Sequence, residues 1–373
     1  METRVLSVED AQADSPKIKE AAELIDAGAL VAFPTETVYG IACRVTKDSL
    51  TRLDSIKGRD AGKRYTLHIA RKTDINKYVP ALSLRAEKLL SNAWPGPLTI
   101  VFELTDKDIA RQSKELPSEV FENLYQDNTI GIRCPDNPVA SMLLEMAHNP
   151  VVAPSANISG HSPAMDAGQV LSQLSGQVDL ILDGGPCKYK MSSTVAKIDR
   201  MGVTILRPGI YSRAQLDAMS QVRFLFVCTG NTCRSPIAEG IFRKTLAEKL
   251  ICEVDRLEQV GYKMLSAGTM GLSGCAPSSE AVAACAARGV DITRHASQGL
   301  TRHLIESSDM IYCMTKAHCE HIKSLWPKSA GKCLLLAPDQ EIPDPIGQSQ
   351  EFFNSCASVI ERAVKKRIGE LSL

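Results

Sequence analysis

The chain has 373 residues, a length that favours two compact domains over one. Its 43 Lys and Arg residues balance its 43 Asp and Glu residues, so the formal net charge is zero. A protein that grips nucleic acid mainly through phosphate contacts usually carries a basic excess, so we expect no strong direct nucleic-acid binding. Apolar residues make up 44% of the chain, which is enough material for two cores.

The N-terminal segment 1–17 carries four acidic residues and no apolar run, unlike a secretory signal. No segment approaches the roughly 18 consecutive apolar residues that a membrane span requires. The 12 cysteines include no Cys-x-x-Cys pair, which favours free thiols in a reducing compartment over disulfides. The sequence therefore predicts a cytoplasmic protein without a membrane partner.

In the first half, strand and helix patterns are mixed rather than strictly alternating. A helix is predicted over 15–28, with Ser15 as the N-cap candidate, Pro16 at the first helical position and Gly28 after the end. The other patterns are helices at 82–93 and 136–147, and strands at 29–33, 98–104, 129–133, 150–153, 180–183 and 203–206. These elements predict an α/β domain.

A polar stretch near 210–221 separates this half from a more regular one. Beyond it, strands and helices alternate, a pattern that predicts a parallel sheet flanked by helices. In chain order the predicted elements are a strand at 222–227, a helix at 235–250, a strand at 264–268, a helix at 277–288, a strand at 310–314, a helix at 315–325 and a last helix from about 348.

The sequence VCTGNTCRSP, at 227–236, joins the first of these strands to its helix. Such a loop directs backbone N–H groups and the positive end of the helix dipole toward one point, so it suits a tetrahedral anion. The same field favours the thiolate form of Cys228. Arg234 has the planar fork that holds two oxygens of a phosphoryl group. We therefore predict a phosphoryl-transfer site with a cysteine nucleophile.

The other loop residues fit the same geometry. Gly230 and Asn231 tolerate the left-handed backbone of a tight turn. Ser235 can donate a hydroxyl hydrogen bond to the sulfur of Cys228. The predicted phosphate loop comprises Thr229, Gly230, Asn231, Thr232, Cys233 and Ser235.

The segment VCTGNTCRSPIAEGIFR resembles the signature of low-molecular-weight protein phosphatases, in which Cys, five residues, Arg and Ser occur in that order. The resemblance extends over 222–371 through SAGT (266–269), GVDITRHASQGLT (289–301), SSDMIYCMTKAH (307–318) and PDPIG (343–347). It implies a Rossmann-like phosphatase domain over 222–373 that needs no cofactor. In the implied mechanism, Cys228 attacks phosphorus and Asp344 acts as general acid and then as general base.

Two positions bear on which phosphorylated protein is the substrate. Members directed at phosphotyrosine usually carry an aromatic residue just after Asp-Pro, where this chain has Ile346. Thr232 resembles the corresponding residue of bacterial members that remove phosphate from protein arginine. We rank phosphoarginine first and phosphotyrosine second.

Other functions of the second half stay open at this point. Arsenate reductases share the fold and the loop but need two more cysteines, for which Cys313 and Cys319 are candidates. Cys233 is a candidate partner for Cys228 in reversible oxidation. A metal site built from Cys313, His318, Cys319 and His321 is disfavoured, because these side chains would not converge on one point at helical spacing.

The first half has its own candidate site. The run PTETVYG at 34–40 follows a buried strand and suits a pocket rim. The segment IKGRDAGKRYTLHIA at 56–70 is rich in cations, a pattern that is also common on a solvated surface. A Walker phosphate loop is excluded, because one residue is missing between the glycines and Arg64 stands where Ser or Thr is required.

Further motifs follow in order: WPGPLTIV (94–101), TIGIRCP (129–135), APSANISGHSP (153–163), DGG (183–185), SSTV (192–195) and ILRPG (205–209). Together they resemble the YrdC-like family of threonylcarbamoyl-AMP synthases across 8–213. The resemblance implies a twisted mixed-sheet domain that forms threonylcarbamoyl-adenylate from L-threonine, bicarbonate and ATP with Mg²⁺. It also implies a separate tRNA-modification machinery that transfers the product to tRNA.

The resemblance carries over two sets of residues. The ATP site would comprise Lys57, Arg59, Lys63, Thr129, Ser155, Asn157 and Arg207. The L-threonine site would comprise Thr35, His68, Arg133 and Ser193, with Arg133 as partner of the carboxylate.

This chain departs from the family pattern at several positions: Asp60 after Lys-x-Arg, Tyr65-Thr66-Leu67 before the next strand, Ser192 before Ser-Thr-Val, and Ala164 after Ser-Pro. The same fold also serves carbamoyl-transfer enzymes and has been regarded as a module that binds double-stranded RNA. These functions are the alternatives to a synthase for the first half.

Overall fold

The computed structural model describes residues 2–58 and 65–373. The chain divides into two compact units, each with buried apolar clusters of its own. The first unit comprises the described residues up to Leu82 together with Ala86–Met219, and the second comprises Ser83–Arg85 and Ser220–Leu373. Among the described residues, no helix is both long enough and apolar enough to cross a membrane.

The first part of the chain contributes strands β1–β10 and helices α1–α8. The strands are Arg4–Ser7, Val31–Phe33, Gly40–Arg44, Leu67–His68, Leu98–Glu103, Thr129–Arg133, Val151–Val152, Leu180–Asp183, Thr194–Asp199 and Gly202–Arg207. The helices are Ser15–Asp26, Lys47–Lys57, Leu84–Ala93, Asp106–Glu115, Ser118–Leu124, Pro138–Met146, Ala167–Leu174 and Arg213–Ser220, with a 3₁₀ helix at Lys72–Lys77.

Within the described residues, these strands join in one mixed sheet, in the order β1-β8-β2-β3-β7-β4-β6-β5-β9-β10. Both faces of its centre are covered by apolar side chains. Val31 and Phe33 of β2 belong to one buried cluster, while Ala32 between them belongs to the other. Successive side chains of a strand point to opposite faces, so a strand buried on both sides reads as a continuous apolar run.

The second part contributes β11–β14 and α9–α13. The strands are Val222–Cys228, Tyr262–Gly268, Met310–Cys313 and Cys333–Leu335. The helices are Arg234–Leu250, Ser279–Ala286, Arg302–Ser307, Lys316–Leu325 and Gln350–Gly369, with 3₁₀ helices at Val254–Arg256 and Pro327–Lys332.

These four strands form a parallel sheet in the order β12-β11-β13-β14. The central strand β11 is buried on both faces: Phe224, Phe226 and Cys228 join one apolar cluster, and Leu225 and Val227 join the other. In a parallel α/β sheet, ligands bind beyond the carboxyl ends of the strands. The end of β11 is therefore where a site is expected, and Cys228 is its last residue.

The predicted fold class is confirmed, with a mixed sheet in the N-terminal region and a parallel sheet in the C-terminal region. The predicted N-cap of α1 is wrong by one residue, because Ser15 is the first helical residue and Asp14 precedes it. Asp14 instead accepts hydrogen bonds from the backbone of Glu9 and Asp10, which makes it part of the turn before the helix.

Several short elements were not predicted, among them β3, β9 and β14. Each is short or lacks a simple apolar run, so local periodicity carries little signal for it. Part of the pairing of β3 and β9 is with segments that are distant in the chain, as in the pairing of Cys43 with Val152 and of Thr194 with Leu98.

Candidate active sites

Cys228 lies at the junction of β11 and α9, where its side chain is buried. Its sulfur accepts a hydrogen bond from the backbone N–H of Asn231 over 3.2 Å, and the Ser235 hydroxyl lies 3.0 Å from it. Asn231 Nδ2 donates to that same hydroxyl over 2.9 Å, which leaves the hydroxyl hydrogen for the sulfur. Two donors therefore face the sulfur, an arrangement that stabilises negative charge on it.

Asn231 fixes the shape of the loop. Its φ of 57° is left-handed, a conformation that asparagine tolerates better than most residues. Its side-chain amide also donates to Ser266 Oγ over 3.0 Å, and its Oδ1 accepts from the backbone of Gln298 over 2.9 Å. His295 Nε2 lies 2.8 Å from its carbonyl oxygen, so the ring donates there. These contacts hold the turn from two other segments, β12 and the loop that contains His295 and Gln298.

Arg234 is the first residue of α9, and only 5% of its side chain is exposed. Its Nη2 donates to Asp344 Oδ2 over 2.6 Å and to Thr229 Oγ1 over 3.3 Å. Its Nη1 donates to the carbonyl of Ile342 over 3.3 Å. The structure thus brings the predicted arginine and the predicted general acid into direct contact at the loop.

Asp344 differs from Arg234 in exposure, because 47% of its side chain is open to solvent. Its second oxygen accepts from the backbone N–H of Ile346 over 3.3 Å. The Ile346 side chain is 67% exposed. The Asp344 carboxylate is thus half-exposed although both of its oxygens accept hydrogen bonds.

The other loop residues have structural contacts. The Thr232 carbonyl accepts from the backbone of Ser278 over 3.0 Å, and Cys233 Sγ donates to the Ser278 hydroxyl over 3.6 Å. Gly230 lies beside the Leu272 side chain and the Thr232 hydroxyl. Thr232 is half-buried, and its hydroxyl therefore lies on the same side of the loop as Leu272.

His318 contacts the loop although the sequence analysis considered it only as a metal ligand. Its Nε2 lies 3.0 Å from Thr229 Oγ1, and its Nδ1 lies 2.8 Å from Thr315 Oγ1. Burial, with a further contribution from the Arg234 charge, lowers the pKa of His318 to about 4. The spacing Thr-x-x-His at the start of α12 could have suggested the second contact, but nothing in the sequence indicates the first.

The remaining metal and redox candidates lie elsewhere in this unit. Cys313 and Cys319 belong to a different apolar cluster from Cys228, and a hydrogen bond between them raises the pKa of Cys313 and lowers that of Cys319. No cysteine of the chain forms a disulfide. Over residues 2–58 and 65–373, no three His, Cys, Asp or Glu side chains are grouped as a metal site.

In the first unit, a cavity of about 270 Å³ collects most of the predicted residues. Those that line it are Lys57, His68, Arg133, Ser155, Asn157, Ser193 and Arg207. Its lining also includes Tyr65, Thr66 and Ser192, three of the positions at which this chain departs from the family pattern. Among the described lining residues there is no carboxylate, so the cavity suits an anionic ligand.

Arg133 lies at the end of β6 and is buried against Glu36, with 2.8 Å between Nη2 and Oε1. The same nitrogen donates to Thr37 Oγ1 over 2.7 Å and lies 3.4 Å from Thr35 Oγ1. Its Nε is buried and has no hydrogen-bond partner among the described residues. A buried donor without a partner is costly. Glu36 was not among the predicted site residues.

His68 is buried beside Arg133, and its Nδ1 lies 3.1 Å from the Thr66 carbonyl. A carbonyl only accepts, so Nδ1 carries the proton and Nε2 is left as an acceptor. Burial, reinforced by the Arg133 charge, lowers the pKa of His68 to about 3. The ring is therefore neutral at physiological pH and can accept from an amine or a hydroxyl.

Lys57, the last residue of α2, is buried, and its ammonium group holds a loop. Its Nζ donates to the carbonyls of Ser155 and Asn157 over 2.8 and 2.7 Å, and to Asn157 Oδ1 over 3.1 Å. The Ser155 hydroxyl donates to the same Oδ1 over 2.6 Å. Lys57 thus positions the serine and the asparagine that were predicted to bind ATP.

Arg207 and Ser193 both line the cavity and are hydrogen-bonded to each other. Arg207 Nη2 donates to the carbonyl of Ser193 over 2.8 Å and to its hydroxyl over 3.0 Å. Gly209 allows this approach, because a Cβ there would lie 2.3 Å from the backbone nitrogen of Thr194. The Arg-Pro-Gly motif therefore supports the Ser-Ser-Thr-Val strand through close backbone contact.

Four predicted residues are not among those that line this cavity. Thr129 is the first residue of β6, four positions from Arg133, and its hydroxyl donates to the Gln126 carbonyl over 2.8 Å. At about 3.3 Å per residue, it lies roughly 13 Å from the cavity end of the strand. Arg59 and Lys63 lie outside the described residues. Thr35 reaches the site only through its contact with Arg133.

The fold and the two sites define a two-domain α/β protein, with a nucleophile-bearing anion loop in one domain and a cationic cavity in the other. The Sua5/YciO/YrdC family model, described as "Telomere recombination", matches residues 23–209. The model described as "Low molecular weight phosphotyrosine protein phosphatase" matches residues 223–372. The chain belongs to the first family through its N-terminal half and to the second through the remainder.

Individual relatives agree with this division. A threonylcarbamoyl-AMP synthase of Pyrococcus abyssi is 34% identical over 194 residues, 52% of this chain and 54% of that protein. A putative threonylcarbamoyl-AMP synthase of Mycobacterium tuberculosis is 32% identical over 215 residues, 57% of this chain and 94% of that protein. The low-molecular-weight protein-tyrosine-phosphatase Etp of Escherichia coli K12 is 34% identical over 160 residues, 41% of this chain and 99% of that protein.

The chain spans about half the length of some of these synthases, as with the protein of P. abyssi. The crystal structure of P. abyssi Sua5 complexed with L-threonine has a TM-score of 0.51 at 22% identity, over 71% of this chain and 92% of that one. At this identity, the likeness shows a shared fold.

A substitution at Gly268 tests how tightly the phosphate loop is packed. A Cβ there would lie 2.7 Å from the Thr229 carbonyl and 3.0 Å from the carbonyl carbon of Gly230. Gly268→Ala should displace the loop and lower phosphatase kcat/KM by about 10-fold or more, since small misplacements of reacting groups are costly. Gly331→Ala, where a Cβ meets open space, is the matched control and should leave kcat/KM unchanged. Equal activity of both variants would show that the loop tolerates the displacement.

The low pKa of His68 predicts a pH dependence of stability. The unfolded chain takes up this proton near pH ~6.5 and the folded protein only near pH 3, so acidification across this window favours unfolding. The slope is at most about 1.4 kcal/mol per pH unit. His68→Asn should therefore lose less thermal stability than the wild type between pH 7 and pH 5. His161→Asn, at an exposed position, should behave like the wild type. Identical losses in all three proteins would contradict the prediction.

Proposed function

We propose that the second unit is a cysteine-dependent protein phosphatase. The observation that carries the proposal is the loop itself, where Cys228 Sγ faces the Asn231 N–H and the Ser235 hydroxyl while Arg234 contacts Asp344 over 2.6 Å. A nucleophile, an anion cradle and a carboxyl group thus meet at the end of one strand. This is the equipment that phosphoryl transfer through a covalent intermediate requires.

The reaction proceeds in two steps. The Cys228 thiolate attacks phosphorus, and the bond to the leaving group breaks while protonated Asp344 donates its proton to that group. Asp344, now ionised, takes a proton from water, which attacks the phosphocysteine and releases inorganic phosphate and the thiolate. Arg234 and the loop N–H groups bind the equatorial phosphoryl oxygens in both transition states.

The substrate that we favour is phosphoarginine in proteins, with phosphotyrosine second. Thr232 is a half-buried residue of the loop, and a hydroxyl there can accept from a guanidinium. Ile346, exposed beside Asp344, supplies no aromatic ring to stack on a tyrosine. The name of the E. coli relative, a tyrosine phosphatase, supports the second candidate.

Substitutions should separate the catalytic groups. Cys228→Ser is expected to abolish turnover, with a loss of at least about 10³-fold, and Asp344→Asn to lower kcat by about 10²-fold or more. Asp339→Asn, an exposed carboxylate in the same segment, is the matched control and should retain activity. The measurement is release of inorganic phosphate from phosphoarginine and phosphotyrosine peptides. Activity that survives Cys228→Ser would contradict the covalent mechanism.

The same assay ranks the substrates when it is applied to Thr232. Thr232→Val removes the hydroxyl and keeps the shape, so it should lower kcat/KM for phosphoarginine peptides more than for phosphotyrosine peptides. Thr232→Ser keeps the hydroxyl and should preserve the preference. Equal losses on both peptides would count against phosphoarginine.

We further propose that the first unit forms L-threonylcarbamoyl-adenylate from L-threonine, bicarbonate and ATP, with release of pyrophosphate. The observation that carries this proposal is the cavity, whose described lining includes Lys57, Arg133 and Arg207 but no carboxylate, and in which neutral His68 offers an acceptor. Arg133 would bind the threonine carboxylate, and His68 and Ser193 its amine and hydroxyl. The crystallised P. abyssi relative was solved with L-threonine.

The proposed reaction requires the protein to orient its substrates and does not require a nucleophilic side chain. The threonine amine attacks CO₂, and the carbamate oxygen then attacks the α-phosphorus of ATP and displaces pyrophosphate. Lys57, through Ser155 and Asn157, and Arg207 would hold the nucleotide. The described cavity residues fit Mg²⁺ only as the ion that accompanies ATP, because they offer hydroxyls and no carboxylate. A separate tRNA-modification machinery would consume the product.

The synthase proposal is tested by pyrophosphate release from ATP and bicarbonate with different amino acids. Release should require L-threonine, and L-valine, which has the same shape without the hydroxyl, should give at least about 10-fold less. Ser193→Ala should raise the KM for threonine without changing the KM for ATP. Threonine-independent release, or RNA binding without any release, would instead support a binding or carbamoyl-transfer role.

A further inference from the structure

A row of hydrogen bonds connects the catalytic arginine to the start of α12. Arg234 Nη2 donates to Thr229 Oγ1 over 3.3 Å, and that hydroxyl lies 3.0 Å from His318 Nε2. On the other side of the ring, His318 Nδ1 lies 2.8 Å from Thr315 Oγ1. His318 is 6% exposed. The guanidinium is thus joined to a second helix through one buried imidazole.

Both ring nitrogens of His318 are matched by their partners. Because its pKa is held near 4, the ring is neutral at physiological pH and offers one N–H and one lone pair. A hydroxyl can donate or accept, so Thr229 and Thr315 satisfy the ring together. Thr315 is also the N-cap of α12, and its Oγ1 accepts from the His318 backbone over 3.4 Å. The ring is therefore held on the helix that carries it.

The reaction makes this support necessary. In the free protein, Asp344 supplies the only carboxylate that the structure shows against Arg234 within the described residues. The proposed mechanism requires Asp344 to turn toward the leaving group, which removes that contact. The buried guanidinium then keeps the Ile342 carbonyl and the Thr229 hydroxyl as its protein partners. The hydroxyl can stay in place because His318 holds it.

We propose that His318 is a positioning residue of the phosphatase, which acts through Thr229 to hold the Arg234 guanidinium in its phosphate-binding orientation while Asp344 is engaged with the leaving group. This inference rests on the proposed phosphatase function. It assigns His318 no proton transfer and no contact with substrate.

Two substitutions at His318 separate its two contacts. The terminal amide of Gln reaches about as far as Nε2, so His318→Gln keeps the contact with Thr229. The amide of Asn reaches only as far as Nδ1, so His318→Asn keeps the contact with Thr315 and loses the one with Thr229. His321→Asn, at an exposed position on the same helix, is the matched control.

The measurement is steady-state hydrolysis of p-nitrophenyl phosphate, with inorganic phosphate as competitive inhibitor. His318→Asn should lower kcat about 10- to 100-fold and change KM less than about 3-fold, because the lost support matters most in the transition state. His318→Gln should stay within about 3-fold of the wild type in kcat, and His321→Asn should match the wild type. The inhibition constant of phosphate should change little in all three variants.

Thr229→Val is the second variant of the experiment. It is measured by itself if His318→Asn does not fold. Removal of this hydroxyl should lower kcat by a similar factor. The double variant with His318→Asn should be no slower than the slower single variant, since both act through one contact. Multiplicative losses in the double variant would overturn the inference.

The outcomes distinguish this inference from the function on which it rests. A wild-type protein without Cys228-dependent hydrolysis would overturn the proposed function. An active wild type with His318→Asn equally active, or with His318→Gln and His318→Asn equally impaired, would overturn the role of His318 and leave the phosphatase assignment intact.

Discussion

A buried guanidinium is costly unless an anionic group meets it, and each candidate site of this protein contains a buried arginine that contacts a carboxylate. In the first unit, Arg133 is paired with Glu36, and both side chains are almost fully buried. In the second, Arg234 is equally buried, but its partner Asp344 is 47% exposed. In the first pair, Arg133 lines the cavity and contacts a buried carboxylate, whereas the carboxylate of the second pair reaches solvent. This difference matches the chemistry proposed for each site, since only the phosphatase requires its carboxylate to move.

Close backbone approach is the second constraint that the two sites share. Gly268 at the end of β12 leaves room for the phosphate loop, and Gly209 leaves room for the strand that carries Ser193. In both places, a side chain of any size would meet backbone rather than a mobile side chain. Both candidate sites thus contain a glycine at a position where the backbone leaves no room for a side chain.

Much of the fold could be predicted because its long elements carry strong local signals. The strand β6, predicted at 129–133, and the long helix α9 are examples, since apolar periodicity and flanking residues both identify them. The short strands β3 and β14 could not be predicted, because their conformation comes from pairing with distant segments. For the same reason, the sequence did not predict two residues that make contacts in the candidate sites. Glu36 and His318 have no local signature for their contacts with Arg133 and Thr229, which lie about 90 or more residues away.

By itself, the sequence determined which residues share one short loop. The loop from Cys228 to Ser235 contains the proposed nucleophile, the arginine and the turn residues in one stretch, so its geometry follows from local conformation at a strand–helix junction. Only the tertiary structure decided which carboxylate meets each buried arginine and which histidine supports the loop. It also placed Thr129 away from the cavity and brought the Lys57 ammonium group into a hydrogen bond with the Asn157 carbonyl. The physical reason is that pairing of charges and hydroxyls depends on distance in space, which local sequence patterns do not encode.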